Sequence, residues 1–165
     1  MADTNQDKQQ RRVKVVDAQT HRTGEKRAAI KPHKRVTEPD LKQVINTYMD
    51  GLGAGSVSQT MWGTKVDKNA QALRSIYGLA ADDEPYLLLD ITAMRTGRAG
   101  MLLSKSGVHL ADGRGGSLAI GWKDLASMPV GYQRGMLTIG QSGITARDGQ
   151  ALAGLLQQIQ TKVAK

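Results

Sequence analysis

The chain contains no cysteine and no phenylalanine, and aromatic residues make up only 4% of its 165 residues. Without cysteine, neither a disulfide framework nor a thiolate metal site can form, and nothing indicates an oxidising compartment. No stretch approaches the roughly 18 apolar residues of a membrane span, and the polar start MADTNQDKQQRR lacks the apolar region of a secretory signal. These absences favour a cytoplasmic protein.

Positive charge is concentrated at the N-terminus. The net charge is +8, and residues 1–36 carry ten Lys or Arg residues against four Asp or Glu, a surplus of 10 − 4 = +6. This segment, the basic arm, has too few bulky apolar residues to offset its ordering entropy, so we expect it to be disordered in isolation. Its basic residues are Lys8, Arg11, Arg12, Lys14, Arg22, Lys26, Arg27, Lys31, Lys34 and Arg35.

Two interpretations of the basic arm stay open. The spacing of its charges suits contact with phosphates or an acidic protein surface, whereas a solubilising tail needs the same composition and no partner. The arm contains no aromatic residue on which a nucleobase could stack, so a nucleic acid would be held through its phosphates and without sequence preference.

Residues 37–81 form a helical lead-in with two predicted helices. Thr37 is suited to cap the first helix, with Asp40 completing a capping box, and the helix should end at the glycines of GLGAGS, residues 51–56. A phosphate-binding loop is the alternative for these glycines, but they follow a helix and lack the Gly-Lys-Ser/Thr ending. Residues 56–63 are predicted as a connector. The second helix runs from Lys65 or Val66 to Tyr77, with Gly78 as its stop.

The remainder, residues 82–165, has the pattern of an antiparallel meander. The acidic run Asp82, Asp83 and Glu84 invites a metal or acid–base hypothesis, but consecutive side chains diverge, and a solvated turn is the interpretation we favour. Glycine-containing hairpins separate seven predicted strands: 86–91, 100–104, 108–111, 117–121, 128–132, 136–139 and 144–146. An amphipathic helix with Asp148 as its N-cap closes the chain.

The sequence of this part resembles that of the bacterial branch of the pleckstrin-homology (PH) superfold. The resemblance rests on YLLLDIT (86–92), GMLLSKSGVHLADG (100–113) and SLAIGWKDL (117–125), and it covers about half of the chain. It implies an α+β fold: a curled, seven-stranded antiparallel sheet or barrel with a C-terminal capping helix, preceded here by two short helices and the arm. The resemblance also implies an adaptor that binds lipid headgroups, peptides or proteins, and it implies no enzyme activity.

Four residues are predicted to bind an anion or a partner. In relatives the lipid phosphates lie against the first hairpin loop and the next strand, which here contain Arg95 and Arg98, with Lys105 at the far end of that strand. Arginine forks bind phosphate or carboxylate, although solvated loop arginines are common. Trp122 is predicted either to anchor the closing helix to the sheet or to line a partner groove.

Catalytic and metal-binding patterns are absent from the sequence. His109 lies between Val108 and Leu110, and strand alternation predicts that it points to solvent. Ser104, Ser106 and Ser117 are near it in sequence, but they are not part of a Gly-x-Ser-x-Gly motif. We therefore predict no catalytic residues, no metal site and no cofactor.

The sequence favours a non-catalytic adaptor whose PH-like domain docks on a protein partner while the arm contacts an acidic surface or nucleic acid. The first alternative is an accessory factor of DNA or a ribonucleoprotein, bound mainly through the arm. The second is peripheral binding to anionic lipid, which has less support because no cationic amphipathic helix or lipidation signal is present. Homo-oligomerisation through a sheet edge is left open.

Overall fold

The computed structural model describes residues 40–53 and 55–165, all of which belong to one folded unit, Val36–Lys165. The basic arm and Thr37 lie outside the described residues. The helices are α1 (Leu41–Gly51), α2 (Thr64–Tyr77), α3 (Trp122–Leu125) and α4 (Gly149–Val163). The strands are β1 (Thr60–Trp62), β2 (Pro85–Asp90), β3 (Ala99–Ser104), β4 (Gly107–Asp112), β5 (Ser117–Gly121), β6 (Val130–Gln133), β7 (Met136–Ile139) and β8 (Ser142–Thr145).

The strands form two antiparallel sheets, so the fold is α+β as predicted. Strands β1 to β5 form a five-stranded sheet in sequence order, and β6 to β8 form a three-stranded sheet. Helix α4 follows the last strand and packs on β6 and β7. No helix in residues 40–53 and 55–165 has the length and apolar character that a membrane crossing requires.

The described chain has eight strands, whereas the sequence predicted seven. The additional strand is β1, which lies within the segment predicted as a connector. It pairs with β2 through Thr60 opposite Leu89 and Trp62 opposite Leu87. Three residues are too few to show a two-residue period, which is why the pattern did not reveal this strand.

The inner face of the five-stranded sheet holds the main core. Leu87, Leu103 and Val108 of this sheet are fully buried in one cluster with Leu155 and Ile159 of α4. Burying a side chain of this size stabilises the fold by about 1.5–3 kcal/mol. The apolar stripe predicted for the closing helix is therefore part of the same core.

The outer face of the same sheet is covered by α2. Val66, Leu73 and Tyr77 of this helix form a second buried cluster with Leu88 and Leu102. Strands β2 and β3 are consequently buried at every position. Burial on both faces explains why their sequences are nearly continuous apolar runs.

Helix α1 begins where Asp40 caps it, since the Asp40 carboxylate accepts a hydrogen bond from the Gln43 N–H at 3.2 Å. The helix packs on α4, where the Tyr48 hydroxyl donates to the Ala151 carbonyl at 3.0 Å. Helix α2 ends as predicted at Gly78, which is left-handed with φ of 64°.

Asp148 occupies the N-cap position of α4, but its side chain does not cap that helix. Its carboxylate instead accepts hydrogen bonds from the backbone N–H groups of Ser58 and Gln59 and from the Thr60 hydroxyl, at 2.7–3.0 Å. The side chain is buried, with the residue 5% exposed. The predicted helix cap is therefore a bridge between the start of α4 and the segment that enters β1.

Candidate partner-binding groove

The turn between β3 and β4, Lys105 and Ser106, is held by hydrogen bonds with two neighbouring segments, residues 83–84 and α3. Lys105 N–H donates to the Glu84 carbonyl at 2.8 Å, and Ser106 N–H donates to the Asp83 carboxylate at 3.1 Å. The Trp122 indole Nε1–H lies between two acceptors of the turn, the carbonyls of Ser104 at 3.2 Å and Lys105 at 3.0 Å. The turn is thereby fixed in one position relative to α3 and β2.

Trp122 belongs to the core and also lines a surface groove. The residue is 9% exposed and belongs to the core cluster that includes Leu155 and Ile159 of α4. The same side chain lines a surface groove next to the turn. The anchor and the groove wall are therefore one residue.

This groove, which we call the turn groove, has a volume of about 730 Å³, within the usual range of ligand sites. It lies where the start of α1, the start of β2, the turn, α3 and the end of α4 meet. Its apolar lining consists of Leu41, Tyr86, Trp122 and Val163.

Lysines dominate the charged rim of the turn groove. Its charged lining residues are Lys105, Lys123, Lys162, Lys165, Asp40 and Asp124. All four lysines are exposed, and within residues 40–53 and 55–165 no carboxylate forms an ion pair with any of them. By contrast, the nearby Lys42 is paired with Glu84 at 2.5 Å and Asp67 at 3.3 Å, and the hydrogen bond to Glu84 is the main reason that its pKa is raised.

A polar cluster supports the turn from the outer face of the sheet. The Asp83 carboxylate accepts hydrogen bonds from the hydroxyls of Ser104 at 3.1 Å and Ser106 at 2.5 Å. His109 Nε2 lies 2.9 Å from the Ser104 Oγ, 3.2 Å from the Ser106 Oγ and 3.8 Å from the Asp83 Oδ2. Together these four residues form the turn-support cluster.

The turn-support cluster corrects two sequence predictions. Asp83 is 6% exposed, so it is not in a solvated turn, and the His109 side chain is 12% exposed, so it does not point to solvent. The reason is that α2 and the segment after it cover this face, with Arg74 Nε donating to the Asp83 carbonyl at 2.9 Å. Burial lowers the pKa of His109, and the Asp83 carboxylate opposes this shift only in part.

The turn-support cluster contains a Ser, a His and an Asp, but its geometry does not match a charge-relay triad. In a triad the carboxylate and the hydroxyl lie at opposite ring nitrogens, whereas here Asp83 and both hydroxyls are nearest to Nε2. Ser104 is fully buried, and both serine hydroxyls donate to Asp83. The arrangement fits a buried hydrogen-bond network that positions the turn.

Arg95 and Arg98 lie away from the turn groove, at the other end of β3. The six residues of that strand separate Arg98 from Lys105 by about 20 Å along the sheet. Arg95 has φ of 52°, and its Nη2 donates to the Ser58 carbonyl at 3.0 Å. The four predicted binding residues are thus divided between two places, with only Lys105 and Trp122 in the turn groove.

Sequence reasoning missed most of the turn groove. Leu41, Tyr86, Lys123 and Lys162 come from four elements that are distant in the chain. In the sequence, each of them fits the pattern of the helix or strand that contains it, and no motif links the four. Of the groove lining, only Lys105 and Trp122 were predicted to bind a partner, and nothing in the sequence placed them together.

Comparisons with known proteins find no match, whether with a family model, a curated protein or a solved structure. The resemblance to PH-like proteins therefore stays a prediction. In the described part of the chain, no group of three or more His, Asp or Glu side chains is placed to hold a metal ion.

Proposed function

We propose that this chain is a non-catalytic binding module that docks on a protein partner through the turn groove. The observation that carries the proposal is the combination of an apolar floor with four exposed lysines that have no carboxylate partner in the described residues. Buried anchors surrounded by a polar rim are the usual composition of a protein-binding site. The fixed position of the turn supports the same role, since a preformed site loses less entropy on binding.

The order of elements also supports an adaptor. Strands β2 to β8 follow one another before α4, although they are divided between a five-stranded and a three-stranded antiparallel sheet. This order of elements is compatible with the PH-like domain that the resemblance implies. On this view β1, α1 and α2 are additions to a PH-like domain. PH-like proteins are adaptors, and that inference is an analogy at the level of the fold.

The basic arm is the second contact in this proposal. Its surplus of +6 attracts the same kind of acidic surface as the lysine rim of the turn groove. In the sequence, the arm ends at residue 36, four residues before Asp40. A partner held by both contacts gains affinity because the second contact forms at a high effective concentration.

Binding of DNA or RNA through the arm is a second candidate, favoured by the charge of the arm alone. The turn groove gives it little support. Tyr86 and Trp122 are each 9% exposed, so they present little ring surface for base stacking. Fluorescence anisotropy with generic duplex DNA and single-stranded RNA tests this candidate, because binding to phosphates weakens steeply with salt. For a duplex, the slope of the logarithm of the binding constant against the logarithm of the salt concentration is about −0.9 for each phosphate neutralised.

Site-specific cross-linking in the native cells tests the docking proposal. A photoreactive amino acid replaces Lys123 at the rim of the groove in one variant and Lys68, an exposed residue of α2, in the control. We expect a discrete adduct with another protein from position 123 and none from position 68. Equal labelling at the two positions, or no adduct at position 123, would overturn the proposal.

A further inference from the structure

The lysines of the turn groove come from three different parts of its lining. Lys105 is in the turn and Lys123 is in α3, whereas Lys162 and Lys165 are at the end of α4. Each has an exposed ammonium group with no carboxylate pairing in the part of the chain that the structure describes. Charges that surround a concave apolar surface reinforce one another because the low-dielectric wall limits screening.

The two carboxylates of the rim do not balance these lysines. Asp40 is engaged as the cap of α1 through the N–H of Gln43 at 3.2 Å. Asp124 is exposed in α3, and no ion pair joins it to a lysine among residues 40–53 and 55–165. Among the side chains of the rim, four lysines against two aspartates leave a positive surplus that an acidic ligand complements.

We propose that the occupant of the turn groove is a short acidic segment of a partner protein that carries a large aliphatic side chain between its carboxylates. The aliphatic side chain contacts Leu41 and Val163, which are only partly buried, and the flanking carboxylates face the lysines of the rim. Lysine suits such a ligand because its ammonium group binds a carboxylate without a fixed angular requirement. This inference rests on the proposed docking function and adds the chemical class of the partner.

The apolar floor distinguishes this occupant from other acidic ligands. A nucleic-acid backbone has no aliphatic group to contact Leu41 and Val163. The basic arm of the same chain has the wrong charge, because its surplus of +6 is repelled by the lysine rim. A segment with both carboxylates and an aliphatic anchor matches both parts of the lining.

The test is a fluorescence-anisotropy titration of the full chain with labelled peptides of about twelve residues. The first peptide is rich in Glu and Asp around two adjacent Leu residues. In the second, Ser replaces both Leu residues, and in the third, Gln and Asn replace the acidic residues. We expect the first peptide to bind at least about tenfold more tightly than either of the others, since each of them lacks one of the two matched features.

Charge reversal locates the binding. The variant Lys123→Glu/Lys162→Glu should weaken binding of the first peptide about tenfold or more. The matched control is Lys65→Glu/Lys68→Glu, which changes two exposed lysines of α2 away from the groove and should alter affinity less than about twofold. Thermal melting of both variants checks that the fold is retained.

Several results would overturn the inference: equal binding of the Leu and Ser peptides, equal loss in both double variants, no binding of the first peptide at low salt, or full competition by duplex DNA. A third variant replaces Arg11, Arg12, Lys34 and Arg35 by Gln. If this variant alone abolishes peptide binding, the arm is the binding site, which also overturns the inference.

Failure of the acidic-peptide inference and failure of the docking proposal are distinguishable. An adduct at position 123 without peptide binding leaves the docking function standing with a different occupant, whereas absence of both removes the two together.

Discussion

The indole Nε1 of Trp122 lies 3.0 Å from the carbonyl oxygen of Lys105, the residue at the tip of the β3–β4 hairpin. The bond joins the first turn of α3 to the hairpin that carries one of the groove lysines. Trp122, a core residue, thus helps to position the backbone of Lys105, which carries a surface charge. The stability of the fold and the geometry of the turn groove therefore depend on the same side chain.

Replacing Trp122 by Phe should lower the free energy of unfolding by about 1–3 kcal/mol, because the carbonyls of Ser104 and Lys105 lose their donor in a buried place. Urea denaturation followed by circular dichroism measures the change. The matched control is Trp62→Phe, whose indole donates to Asp50 at an exposed position and should cost less than about 1 kcal/mol. Equal losses in the two variants would show that the double hydrogen bond has no special role.

Replacing Asp148 by Ala should cost about 3 kcal/mol, because the N–H groups of Ser58 and Gln59 and the hydroxyl of Thr60 lose their acceptor. The segment before β1 should also become more sensitive to limited proteolysis. The control is Asp124→Ala, which removes an exposed carboxylate and should change stability by less than about 0.5 kcal/mol. If Asp148→Ala proves as stable as this control, the bridge between α4 and β1 contributes nothing.

Stability should fall as the pH is lowered below about 6.5, the ordinary value for histidine, because burial lowers the pKa of His109 in the folded state. The unfolded chain then binds a proton more readily than the folded chain. His109 therefore makes its full contribution to the free energy of unfolding above pH 6.5, and this contribution is lost as the pH falls to the lower pKa of the folded state. Denaturant titrations at pH 7.5 and 5.5 measure this slope.

His109→Gln should show a smaller loss between these two pH values than the natural chain. The control is His33→Gln in the basic arm, which should keep the natural slope. A slope that is unchanged in His109→Gln would assign the acid sensitivity to other groups.

Replacing Gly100 by Ala should destabilise the protein by about 2 kcal/mol or more. The residue has φ of 140°, and a Cβ there would collide with the Leu89 carbonyl oxygen on the neighbouring strand. Gly51→Ala is the matched control, since nothing lies within 4 Å of a Cβ at that position in α1, and it should be neutral or stabilising by up to about 1 kcal/mol. Melting temperatures of the two variants should therefore move in different directions.

The sequence predicted most of the architecture because local signals determine it. Glycines such as Gly107 and Gly135 mark the hairpins, and the spacing of Leu152, Leu155 and Ile159 identifies the closing helix. The strand β1 was missed because it has three residues and depends on pairing with β2 for its conformation. Secondary structure that is imposed by a partner strand leaves no period in its own sequence.

The environment of individual polar residues could not be predicted in the same way. Strand alternation correctly separates His109 from the inner core, but it does not say what covers the other face. The packing of α2 on that face buries His109 and Asp83 and places both beside Ser106. The turn groove was likewise hidden, because Leu41 and Lys162 meet only when α1 and α4 pack together.

The carboxylate of Asp148 accepts the backbone N–H of Ser58 from 90 residues further along the chain. During synthesis, the segment before β1 leaves the ribosome long before its acceptor exists. The hydrogen bonds of the Ser58 and Gln59 N–H groups to Asp148 can therefore form only after residue 148 has been synthesised. The attachment of the segment before β1 is thus a non-local contact, of the kind whose loop must close before the contact stabilises the fold.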